Sequence, residues 1–127
     1  MSENQNSNSI YNVPGHTQAE DTLLSYPPAI QAAQKELLTL FNNYENQNIV
    51  VKEAIAGFNA KVSNNPALKN VDQKATELKA LIAASGEYKD DLEALNSLRL
   101  DCDLKRIDLE YLQNMFKAHL AIVGGHR

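Results

Sequence analysis

EYKDDLEALNSLRLDCDLKRIDLEYLQNMFKAHLAI, residues 87 to 122, contains neither proline nor glycine, and its apolar residues fall into two rows. One recurs every seven residues through Tyr88, Leu95, Cys102, Leu109 and Phe116, with Leu98, Leu112 and Leu120 close beside it. The other, Leu100, Leu104, Ile107, Tyr111, Met115, Ala118 and Ile122, lies roughly opposite at about 100° per residue. Between them Arg99, Asp103, Arg106, Glu110 and Lys117 form a ladder of alternating sign, the pattern of a solvated face held by pairs one turn apart. The stretch is therefore predicted to be a helix with two apolar sides, and it must bury both.

Upstream, positions 37, 41, 44, 48, 51, 55, 58 and 62 read Leu, Phe, Tyr, Asn, Val, Ile, Phe, Val, with spacings of four and three throughout. This is a heptad seam, and it predicts a helix over 29–63, roughly 50 Å long at about 1.5 Å per residue. Pro28 suits its first turn, where a missing N–H is harmless. Asn42, Asn43 and Asn46 lie off the seam and can face water. Asn48 lies on it, at an a position if Val51 is d. A polar residue there either sets register and partner number or marks a wet gap between helices. Asn64-Asn65-Pro66 ends this helix, and Asn70 with Gln73 has the spacing of a capping box. Leu68, Val71, Ala75, Leu78 and Ile82 then predict a short helix over 67–84. Ser85-Gly86 stops it, with Gly86 suited to a left-handed C′ position and Ser85 able to cap the helix over 87–122.

The fold class expected is all-α: two long helices and one short one in a coiled-coil-like hairpin or a three-helix arrangement. The helical domain spans 29–122, and 123–127 is a frayed end. Three antiparallel neighbours, a kinked rod folded back on the first helix, and a short crossing strap are all compatible with the pattern. In the first two the stretch from Leu104 to Ile122 overhangs with both sides apolar, and in the third one row still needs cover. An exposed apolar row of this size marks a protein interface. A homo-oligomer is expected, with Leu100, Leu104, Ile107, Tyr111, Met115 and Ile122 at the contact. The relative orientation of the long helices does not follow from the pattern.

Residues 1–28 contain no Lys or Arg, are crowded with Asn, Ser and Gln, and end in Pro27-Pro28. They read as a disordered polar tail that buries too little to offset its ordering entropy. Within it SIYNVPGH, residues 9 to 16, is an apolar island around a turn signal: a linker, or a short peptide that orders on a partner.

With 127 residues and a net charge of −4, the chain is one domain without a general attraction to nucleic acid or anionic membrane. Its N-terminus lacks the charge and apolar core of a secretory signal, and its single cysteine fits a reducing compartment, so a cytoplasmic location is expected. Cys102 on the seam reads as a small core residue. His16, His119 and His126 are scattered, and no metal-ligand spacing, phosphate loop or nucleophile motif occurs. No catalytic residue, metal or cofactor is expected, and the chain reads as a non-enzyme. Residues 52–82 hold five lysines against three acids, whereas 83–110 hold four cations against eight acids. Lys69, Lys74 and Lys79 are thus candidate nucleic-acid contacts, but their spacing of five turns each about 140° from the next on a helix, so they make no stripe. Aromatic stacking platforms for single strands are scarce.

LKNVDQKATELKALIAASGEYKDDLEALNSL (68–98) and IDLEYLQNMFKAHLAI (107–122) resemble a group of small helical proteins of phages and integrated elements. In these a Lys-Asn-x-x-Gln-(Arg/Lys) box opens the middle helix, a Tyr follows a short break, and a Leu-Glu-x-Leu…Phe run closes the last helix. The matching positions are Lys69, Asn70, Gln73, Lys74, Tyr88, Leu109, Glu110, Leu112 and Phe116. Lys74 stands where the group tends to have Arg, and the asparagine-rich first helix and N-terminal segment lie outside the likeness. Such proteins are often encoded beside single-strand annealing recombinases or single-strand-binding proteins. The resemblance implies an accessory role in phage-type DNA recombination or replication and carries over no catalytic residue. The expected function is an oligomeric assembly or adaptor protein. A virion or other structural packing component and a direct single-stranded DNA binder are the alternatives.

Overall fold

The structure, a computed structural model, describes residues 18–125, and these form three α-helices: α1 (Gln18–Ser63), α2 (Val71–Ala84) and α3 (Gly86–Gly125). The all-α class with two long helices and one short helix is as the periodicity predicts. Residues 1–17 and 126–127, including the apolar island, lie outside the described residues.

α1 starts at Gln18 rather than near residue 29, so the predicted polar tail is helical from 18 to 28. Glu20 and Asp21 in its first turn complement the positive end of the helix dipole. Thr22 Oγ1 donates to the Gln18 carbonyl at 3.0 Å, and Ser25 Oγ to the Thr22 carbonyl at 2.5 Å. Pro27 and Pro28 sit inside the helix, where neither can donate to the carbonyl four residues back. What carries the chain through them is packing. Leu23, Tyr26, Ile30, Ala33 and Leu37 keep the alternating spacing of the downstream seam, and all are half-buried or buried.

The helices divide into two compact units. In the first, residues 18–38 of α1 run antiparallel to 103–125 of α3. The Tyr26 ring lies 5.9 Å from Phe116 and 5.2 Å, edge-on, from His119, while Glu36 pairs with Lys105 at 3.1 Å. Ala33 and Val123 are buried. The expected overhang of Leu104 to Ile122 therefore does not occur on the inner side: the earlier start of α1 supplies the cover. Val123 continues the seven-residue row beyond Phe116. Leu120, expected beside that row, is more than half exposed, and the half-buried His119 takes its place.

The second unit is Thr39–Cys102. Val51, Val62 and Cys102 are buried, and the Phe58 and Tyr88 rings meet edge-to-face at 5.9 Å. The inward row of α1 runs through Leu40 as Phe41, expected on the seam, turns outward and stacks on Tyr44 at 6.5 Å. α1 closes at Asn64, whose N–H donates to the Ala60 carbonyl. Pro66 then occupies a turn in which Leu68 N donates to Asn65 O at 3.2 Å and Ala67 N to Asn65 Oδ1 at 2.9 Å. α2 consequently begins at Val71 and not at 67. Asn70 is its N-cap, accepting from Gln73 N at 2.9 Å. Gln73 Oε1 accepts in return from Lys69 N at 2.5 Å, one residue before the position that a capping box would use.

Of the face expected on α2, Leu68, Leu78 and Ile82 are half-buried and Val71 and Ala75 are exposed, while Lys74 and Leu81 join the half-buried side. Ser85 forms a one-residue break. It is the extended C-cap of α2, and its Oγ accepts from Tyr88 N at 3.1 Å at the start of α3. Gly86, expected in a left-handed C′ conformation, instead opens α3.

Candidate docking face on the third helix

α3 has no proline and only glycines at its two ends, so its rows stay in phase along its length. In the first unit the inner row of Leu109, Leu112, Phe116, His119 and Val123 is buried or half-buried. The outer row is not: Leu104, Ile107, Tyr111 and Ile122 are each more than half exposed, Ala118 is exposed, and only Met115 is half-buried. By helical geometry these six lie within an arc of about 80°. One turn earlier, in the second unit, Leu100 is exposed in the same way. In the first unit the row expected at an interface thus forms a narrow apolar band, mostly exposed among the described residues and half-covered at Met115.

The charges beside it are sorted by sign. Asp108 on one side and Asp103 and Glu110 on the other lie within about 100° of the band's midline, by the same geometry. Lys105 and Lys117 lie at about 120° and Arg106 at about 140°. Lys105 turns inward to Glu36, and Arg106 Nη1 reaches back to Asp103 Oδ1 at 2.8 Å. The ladder read from the sequence is therefore one-sided with respect to the band.

The other expected sites are not gathered. Asn48 is half-buried beside half-buried Gln47, and it is Gln47 whose Nε2 donates across to the Asp91 carbonyl at 2.8 Å. Heptad counting points to Asn48 alone, and nothing in the spacing marks the adjacent Gln47. Lys69 lies in the turn, Lys74 on the half-buried side of α2, and Lys79 on its exposed side. A small, mainly apolar pocket of about 200 Å³ lies at the start of α1, lined by Ala19, Thr22, His119, Ile122 and Val123. Among the described residues no group of three or more His, Cys, Asp or Glu is placed to hold a metal ion, and no helix is long and apolar enough to cross a membrane. Comparison with known protein families, curated proteins and solved structures returns no match for this chain.

Proposed function

We propose that this chain is a non-enzymatic assembly or adaptor protein whose outer band on α3 seats another helix in coiled-coil-like packing. The observation that carries the reading is the contrast within one helix. The inner row is filled by α1, whereas Leu104, Ile107, Tyr111 and Ile122 of the outer row remain more than half exposed, with Met115 half-buried among them. Bands of this kind are a recurring way for one protein to hold another, with side chains a turn apart as anchors. The likeness to small helical proteins of phages and mobile elements extends the proposal to an accessory role in DNA recombination or replication. A virion packing component would use the same band. A direct single-strand binder draws less support, because Lys69, Lys74 and Lys79 face different ways.

The partner expected from the sequence is a second copy of the chain. Light scattering coupled to gel filtration, on wild type and on Leu104→Glu, tests this. An oligomer that falls to monomer in the variant, with helicity by circular dichroism unchanged, assigns the band to self-association. An oligomer of unaltered size in the variant removes the band from the assembly. A wild-type monomer leaves the band to a different protein.

A further inference from the structure

We infer that the outer band of α3 is matched to an amphipathic helix carrying lysine or arginine along both flanks of its own apolar row. The inference rests on the docking reading above and adds the partner's charge. Its basis is the sorting of charges around the band. Within about 100° of the midline, between Asp103 and Met115, the charged residues are Asp103, Asp108 and Glu110, with no lysine or arginine among them. The three cations of the first unit's α3 lie further round, and two are engaged there, Lys105 by Glu36 and Arg106 by Asp103.

When two helices pack along apolar rows, the residues flanking each row face one another and select the partner. A second copy of α3 brings acid against acid on both sides, in either orientation, which opposes association. Anionic membrane surface and nucleic-acid phosphate meet the same repulsion. A helix with basic flanks instead sets cations against Asp108 on one side and Glu110 on the other, while its apolar residues cover Leu104, Ile107 and Tyr111. Paired charges at such a rim steer encounter and enforce specificity, and the apolar row supplies most of the affinity.

The test uses the full chain and two synthetic helical peptides with one apolar heptad row, flanked by lysine in one and by glutamate in the other. At low salt the lysine-flanked peptide should bind about tenfold tighter or more, and added salt should narrow the gap. In the Asp108→Lys, Glu110→Lys double variant the preference should reverse, with helicity unchanged. Equal binding of the two peptides, a preference the double variant leaves in place, or binding of neither peptide overturns the inference. Leu104→Glu separates the two levels. If it abolishes binding of both peptides while wild type shows no preference between them, the docking face stands and the charge selection falls. If peptide binding is indifferent to Leu104→Glu, the docking face falls as well.

Discussion

Tyr26-Pro27-Pro28-Ala29-Ile30 and Asn65-Pro66-Ala67-Leu68 have similar sequences after their first residue and opposite structures: the first lies inside α1, the second is the turn that follows it. Proline disfavours the helical conformation of the residue before it in both places. At residue 65 an asparagine gives way, because its side chain and carbonyl hold the turn through Ala67 N and Leu68 N. At residue 26 a tyrosine does not give way. Its ring is held against Phe116 and His119, and unwinding the helix there would expose those rings. The comparison teaches that a proline's effect is set by what the preceding side chain can do, locally or across the unit.

The comparison is sharpened most by removing the prolines from the helix. Pro27→Ala with Pro28→Ala should stabilise the protein by about 3 kcal/mol in total, about half of the roughly 3 kcal/mol per proline of a helix interior, since both prolines are exposed and water can reach the carbonyls they leave unpaired. Denaturant unfolding measures this, and an unchanged midpoint would mean that the turn before Pro27 adds little. Removing the ring should act in the other direction. Tyr26→Ala is expected to destabilise by about 2 kcal/mol, less than a fully buried aromatic because the side chain is only half-buried. Amide exchange should rise first over residues 18–28. If exchange there stays at the wild-type level, the packing argument for the prolines is wrong.

The same contrast accounts for what was legible beforehand. Helix type and the breaks near residues 64 and 85 follow from heptad spacing and capping residues, which are local signals. The segment 18–28 was obscured because its composition is polar and its prolines read as punctuation. Yet Leu23, Tyr26, Ile30 and Ala33 carry the same spacing that begins openly at Leu37. Two rows show in the periodicity of α3, but periodicity cannot say which one α1 covers, and how far that cover reaches depends on where α1 starts. The acidic rim was hidden for a different reason. Arg99, Asp103, Arg106, Glu110 and Lys117 alternate in sign along the chain, and only the position of the band shows that the acids stand nearer to it. Asn48 was singled out by strict heptad counting, whereas Gln47 makes the bond across to α3.

The turn side of the comparison gives the smallest effect. Asn70→Ala removes the acceptor for Gln73 N and should destabilise by about 1 kcal/mol, the usual loss for an N-cap. Asn70→Ser or Asn70→Asp should recover most of it, since either side chain can accept the same bond. Gln73→Ala should cost less, because its side chain serves Lys69 N in an exposed turn and water can replace it. These numbers also bear on the Lys-Asn-x-x-Gln-Lys box. Asn70 and Gln73 are occupied in starting α2, so half of the box has a structural role before any ligand is considered. If Asn70→Ala leaves stability untouched while Asn70→Ser does not restore some other lost property, such as binding to single-stranded DNA, then capping is not why the asparagine is there. A cap lost and regained through serine, with Lys74→Ala silent in both respects, would confine the box to the architecture of the turn.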